Sequence, residues 1–123
     1  MNTLLLGKWG EAKACEYLRK KRYKVVGANY STGFGEIDLV AENRKFLVFV
    51  EVKLRKDEKF GTPGEFVTSG KQRKIILAAR SWLAKNNTDK TVRFDIIEIY
   101  APEGISDNFR LNHIENAFPG SEF

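Results

Sequence analysis

The sequence predicts an α/β (α+β) fold, a central mixed sheet flanked by helices, and three observations carry that expectation. Residues 5 to 22 are rich in helix formers. Three extended apolar segments then follow one another across short links. A second amphipathic helical stretch, from about residue 69 to 86, precedes another β-branched run, Thr91 to Tyr100. Short links make the first three strands an antiparallel meander. A strand, a helix and a further strand imply a right-handed crossover to a parallel neighbour, which makes the sheet mixed.

Glu11, Ala12, Lys13, Ala14, Glu16, Leu18, Arg19 and Lys20 dominate the first helix, which contains no proline. Gly7, Glu11, Ala14, Cys15 and Leu18 recur at helical spacing and predict its buried stripe, with Trp9, Ala12 and Glu16 beside it. Glu11 is thus a carboxylate on a mostly apolar face; the plainer reading is a boundary residue paired with Lys8 or Lys13. Arg19-Lys20-Lys21-Arg22 suits the negative end of the helix dipole. Tyr23 to Tyr30 reads as the first strand, and Ser31-Thr32-Gly33-Phe34-Gly35 as a turn-rich link.

The next two strands lie within Gly35 to Arg55 and meet at a polar turn, Glu42-Asn43-Arg44-Lys45. Phe46 to Val52 is almost unbroken in apolar, β-branched and aromatic residues, as a strand covered on both faces should be. Against that background Glu36, Asp38, Glu51 and Lys53 stand out, because buried charge is costly unless paired or metal-bound. An even-numbered turn, with Ala41 opposite Phe46, sets all four on one face. In that register Glu36 faces Glu51 and Asp38 lies diagonally from it. Three carboxylates would then converge, a repulsive arrangement that a hard divalent cation reverses.

Leu54 to Gly70 is charged, glycine-rich and aperiodic, which predicts a mobile surface loop. Ile75, Ala78, Ala79, Trp82 and Leu83 give the second helix its apolar stripe. Its first turn, Lys71-Gln72-Arg73-Lys74, opposes the helix dipole but suits phosphate. Residues 101 to 108 form a turn before a weaker edge strand, Phe109 to Ile114. His113, the one histidine, has no second His or Cys nearby to form a ligand set, so a structural role is expected. Residues 1 to 118 read as a single domain and 119 to 123 as a disordered tail.

A chain of 123 residues holds one domain with a real core, and its 42% hydrophobic and 30% charged composition is that of a soluble protein. No apolar run approaches the roughly 20 residues of a membrane span, and one cysteine makes the reducing cytoplasm the default location. Between Lys53 and Arg80 there are eight Lys/Arg against three Asp/Glu, so this segment holds the whole net charge of +5. Such concentration favours a polyanionic partner.

Asp38 followed by Glu51-Val52-Lys53, with Glu11 on a preceding helix, resembles the PD-(D/E)xK nuclease superfamily. More closely, G-E-I-D-L-V-A, V-F-V-E-V-K-L-R and the early G-x-x-G-E of Gly7 to Glu11 resemble the YraN-like bacterial proteins, which are similar to archaeal Holliday-junction resolvases. Ile37 stands where many nucleases of that superfamily have proline. The resemblance implies a restriction-endonuclease-like αβββαβ core and a metal-dependent endonuclease acting on DNA, branched or single-stranded. It implies Mg²⁺ or Mn²⁺ held by Asp38, Glu51 and the Val52 carbonyl, with Glu11 completing the shell and Glu36 in support. Lys53 would orient the attacking water or neutralise the transition state. Arg55, Lys71, Gln72, Arg73 and Lys74 would contact the nucleic-acid backbone. A homodimer is in keeping with the resemblance, since resolvases act as pairs. The alternatives are a nucleic-acid-binding module that keeps this fold with little or no cleavage, and a purely structural or protein-interaction role.

Overall fold

Helix, three strands, helix and two strands follow in the expected order in the computed structural model, which describes residues 3–56 and 67–120. They are α1 (Thr3–Lys20), β1 (Lys24–Ser31), β2 (Glu36–Glu42), β3 (Phe46–Arg55), α2 (Ser69–Lys85), β4 (Thr91–Tyr100) and β5 (Arg110–Ile114). The five strands form one mixed sheet in the order β1-β2-β3-β4-β5. Every neighbouring pair is antiparallel except β3 and β4, which α2 joins as a parallel pair. This α+β architecture is consistent with a restriction-endonuclease-like core. Residues 57–66 of the expected surface loop and 121–123 of the expected tail lie outside the described residues. Among the described residues no helix is long and apolar enough to cross a membrane.

Each face of the sheet carries one core. Val40, Leu47, Phe49, Phe94 and Ile96 pack with Ile75, Ile76, Ala78 and Ala79 of α2. Leu39, Ala41, Val48, Val50, Ile97 and Ile99 pack with Ala14 and Leu18 of α1. Strand β3 therefore feeds both cores, which explains its unbroken apolar run. The stripe of α1 is rotated from expectation: Gly10, Ala14 and Leu18 are buried, while a Cβ on Gly7 would meet nothing. The cause is close approach, since a Cβ on Gly10 would sit 3.0 Å from a Leu54 methyl. Strand β3 continues to Arg55 instead of giving way to loop at Leu54 because its pairing with β4 runs on through Leu54–Ile99 and Arg55–Tyr100.

The hairpin register differs from the expected one by two residues. Ala41 pairs with Val48 and Leu39 with Val50, not Ala41 with Phe46. The Asn43 carboxamide oxygen accepts the N–H groups of Lys45 (3.0 Å) and Phe46 (2.8 Å), and the Asn43 N–H donates to the Phe46 carbonyl. The chain thus reverses over Arg44-Lys45 alone, as an Asn-anchored tight turn can. The turn remains even, so face parity survives. The residues that come level do not: continued one step, the register sets Asp38, and not Glu36, beside Glu51.

Candidate functional site

The ladder between β2 and β3 ends at Leu39 and Val50. Beyond it the Asp38 carboxylate replaces a backbone acceptor, its Oδ2 taking the Val52 N–H at 2.8 Å. Burial pushes the Asp38 carboxyl up to about 7, with the neighbouring Glu51 charge adding to it and the Val52 hydrogen bond opposing it. Burial also raises Glu51, although Lys71 and Lys53 pull the other way. Glu51 is 7% exposed. Two adjacent carboxyls therefore resist ionisation, because burial and their mutual repulsion outweigh the nearby lysines and the Val52 hydrogen bond.

Two lysines reach Glu51 from different elements. Lys53 Nζ lies 4.0 Å from Glu51 Oε1 and comes from the same strand two residues on. Lys71 Nζ lies 3.6 Å from the same oxygen and comes from the first turn of α2. Thr68 caps that turn, its hydroxyl accepting the Lys71 N–H at 3.1 Å. The link before β2 is pressed onto this helix start, because a Cβ on Gly35 would lie 2.8 Å from the Lys74 carbonyl oxygen. Acid pair and basic turn are thereby held together by the fold.

The other expected residues divide. Glu11 approaches from α1 and accepts the Asn29 carboxamide N–H at 3.1 Å; its charge reaches Asp38 and helps to raise it. Glu36 is exposed, and only its charge is felt at Glu51. Among the described residues no three His, Cys, Asp or Glu side chains are close enough to cage an ion. The expected convergence of three carboxylates is thus a pair, because the two-residue slip carries Glu36 past Glu51. Arg55 is turned to β4, where its Nε donates to Glu98 Oε2 at 2.8 Å. The Gln72 side chain donates to the Val67 carbonyl at 2.9 Å and braces the helix start. Arg73 and Lys74 are exposed, and Arg73 lines a cavity of about 340 Å³ with Ile76, Leu77 and Arg80.

The pair suits a hard cation. Mg²⁺ keeps several waters and is commonly held by one or two carboxylates with substrate phosphate, so a full protein cage is not required. Glu51, buried, and Asp38, partly buried, supply oxygen donors whose charge has incomplete compensation.

A family model described as "Uncharacterised protein family UPF0102" matches residues 10–99. The chain belongs to the UPF0102 family. It is 44% identical to a UPF0102 protein of Clostridioides difficile over 119 residues, covering 96% of this chain and all of that one. Its likeness to a UPF0102 protein of Caldanaerobacter subterraneus subsp. tengcongensis is 43% over 120 residues, covering 96% and 98%. For a UPF0102 protein of Syntrophomonas wolfei it is 43% over 114 residues, covering 92% and 96%. The matches span the αβββαβ elements, Asp38, Glu51 and Lys53 among them.

Three features of this UPF0102 chain escaped the sequence reading. Asn29 holds Glu11 from within β1 at φ 52°, a left-handed conformation inside a strand. Asparagine tolerates that region better than most residues, but sequence gives no sign that this one adopts it. Glu98, 1% exposed, gathers Arg55, Tyr100 and Asn112 around its carboxylate. Asp95 is fully buried between Arg93 and His113. The β-branched run Thr91 to Tyr100 marks a strand, but nothing in it shows which of its charges meet.

Proposed function

We propose that this chain is a metal-dependent endonuclease that hydrolyses phosphodiester bonds of DNA, branched or single-stranded. The observation that carries the reading is the pair of a buried Glu51 and a partly buried Asp38, both raised in pKa and flanked by Lys53 and Lys71. No structural need is met by placing two such carboxyls side by side. Asp38, Glu51 and the Val52 carbonyl would hold Mg²⁺ or Mn²⁺, with Glu11 acting through water. When bound, the metal supplies Lewis-acid polarisation of the phosphoryl oxygen and an acidified water.

The chain's own residues do the rest. The Val52 N–H fixes Asp38 at the mouth of the parted strands. Lys53 presents its ammonium on the Glu51 side, where it can orient the nucleophile or offset charge developing on the phosphate. Lys71, Arg73 and Lys74 at the start of α2 meet the backbone phosphates and set its register without reading sequence. Arg55 steadies Glu98 and so acts at one remove from the substrate.

The test compares wild type, Asp38→Ala and Lys53→Ala on junction, duplex and single-stranded DNA with Mg²⁺ or Mn²⁺. The expected result is cleavage by wild type and at least a hundredfold loss in both variants. Equal cleavage by all three would assign the activity to a contaminant and remove the enzyme reading. Salt-sensitive binding without cleavage by any of them would leave a nucleic-acid-binding module on the same fold.

A further inference from the structure

The turn between β1 and β2 exposes a large apolar ring. Phe34 is 62% exposed, and it is the aromatic member of the exposed large hydrophobic residues among those described. The turn beneath it is well tied. Thr32 Oγ1 accepts the N–H groups of Phe34 at 3.0 Å and Gly35 at 3.2 Å, and the Thr32 N–H donates to the Gly35 carbonyl at 2.8 Å. Gly35 then abuts the Lys74 backbone so closely that no other residue fits without displacement. The ring is therefore presented from a fixed support beside the helix turn that carries Lys71, Arg73 and Lys74.

We propose that Phe34 stacks on an unpaired or unstacked base of the substrate, and so directs the site to nucleic acid with disrupted pairing. The inference rests on the nuclease reading and names the substrate feature which that site would prefer. Phenylalanine offers no hydrogen bond, so it reads the π-face of a base and not its edge; that face is covered inside an intact duplex. Phe34 lies four positions before Asp38, across the turn and the start of β2, so the two are at most about 13 Å apart at roughly 3.3 Å per residue. With a step of about 3.4 Å between stacked nucleotides, the ring reaches a base within about four positions of a phosphate at Asp38. The lysines and arginine of the neighbouring helix turn favour a polyanion over an apolar protein surface as the occupant. Aromatic or apolar wedges between base steps are a known means of holding bent or opened nucleic acid.

The experiment measures binding by fluorescence anisotropy in EDTA, which separates it from cleavage. The probes are a fully paired duplex, the same duplex with an unpaired 2-aminopurine, and a single strand. Phe34→Ala is expected to weaken the two probes carrying unpaired bases about five- to hundredfold and to leave the paired duplex within about twofold. It should also remove the change in 2-aminopurine emission seen with wild type, and Phe34→Trp should restore both. Equal affinity of Phe34→Ala and wild type for every probe overturns the inference while leaving the nuclease reading intact. Equal weakening on all three overturns it as well, since the ring would then be a general contact. A dimer in sedimentation that Phe34→Ala dissociates would assign the ring to a second copy of the chain. Absence of any nucleic-acid binding by wild type in EDTA would overturn the inference, while the cleavage assay with Mg²⁺ or Mn²⁺ decides the nuclease reading separately.

Discussion

Asp38 and Val52 are joined by a 2.8 Å hydrogen bond from backbone to carboxylate at the point where β2 and β3 cease to pair. A side chain has taken the place of a strand carbonyl. The consequence is a carboxylate fixed beside Glu51 and only partly open to water. One N–H favours the ionised form, but burial and the Glu51 charge outweigh it, and the group is left at about 7.

Stability without metal should therefore fall as pH rises. Asp38 has an ordinary value of 3.8 and a folded value of about 7. Between these the folded state binds more protons than the unfolded chain. Its contribution is fully present below pH 3.8 and is lost as pH rises through 7. A shift of this size corresponds to roughly 4 kcal/mol at most, and solvent on the open side reduces that to about 1–3 kcal/mol. Asp38→Asn keeps an acceptor for Val52 and removes the titration. Urea unfolding in EDTA should show the variant more stable than wild type at pH 8 and about equal at pH 4. A variant less stable than wild type at pH 8 would mean that the carboxylate is better compensated than its surroundings indicate.

Adding a divalent ion should reverse the penalty. At pH 8, Mn²⁺ at about one hundred times its dissociation constant should stabilise wild type by about 2.7 kcal/mol, and neither Asp38→Asn nor Glu51→Gln should respond. Lys71 competes for the same oxygen of Glu51 from a half-exposed position. Lys71→Ala should then tighten Mn²⁺ by up to about fivefold while weakening nucleic acid in a salt-dependent way. Thermal melts and isothermal titration, repeated at two ionic strengths, measure both effects. Weaker Mn²⁺ binding by Lys71→Ala would show that this lysine organises Glu51 and does not compete for it.

What the sequence revealed follows the range of the interactions. The run from Phe46 to Val52 disclosed two-sided burial because composition answers directly to environment. Lys53 and Glu51 shared a face because alternation along one strand is local, and an even turn preserved it across two. The two-residue slip was hidden, since it depends on the Asn43 side chain binding two backbone N–H groups at once. The destination of Arg55 was hidden for another reason. It is fixed by parallel pairing with β4 across the whole α2 crossover, and no local pattern encodes that register.

Asn29 offers a way to separate strain from contact. Its left-handed backbone costs most residues about 1–2 kcal/mol but costs glycine little. Its carboxamide holds Glu11 in place. Asn29→Gly should stay within about 1 kcal/mol of wild-type stability, whereas Asn29→Ala should lose about 1–2 kcal/mol more than the glycine variant. Both should weaken Mn²⁺ binding alike, and Glu11→Gln should weaken it further, because the Asn29 variants free the carboxylate whereas Glu11→Gln removes its charge. Metal affinity equal to wild type in all three would leave Glu11 outside the metal shell.

The polar network on the opposite face should be structural, and its loss should spare the site. Arg93 donates to both oxygens of Asp95 and to the Tyr23 hydroxyl. His113 bridges Asp95 at 2.7 Å and Tyr17 at 3.0 Å, and the Asn116 N–H adds a further bond to Asp95. These contacts tie α1, the residue just before β1, β4 and β5. Burial alone would raise the Asp95 carboxyl, but the bonds from His113, Arg93 and Asn116 hold it below its ordinary value. Its contribution is thus present above pH 3.8 and is lost as pH falls through the lower folded value. Asp95→Ala leaves the buried Arg93 with only the exposed Glu115, 3.6 Å from its Nη1, as counter-ion and should cost about 3–5 kcal/mol. Arg93→Met with Asp95→Leu removes both charges and should cost less than Asp95→Ala alone, since no unpaired ion is left behind. Both variants should bind Mn²⁺ as wild type does where they remain folded, because Asp95 lies on the α1 face and Glu51 on the α2 face. Urea midpoints at pH 7 with unchanged slopes measure the loss. An Asp95→Ala protein with wild-type stability and lost metal affinity would instead place this network in the service of the site.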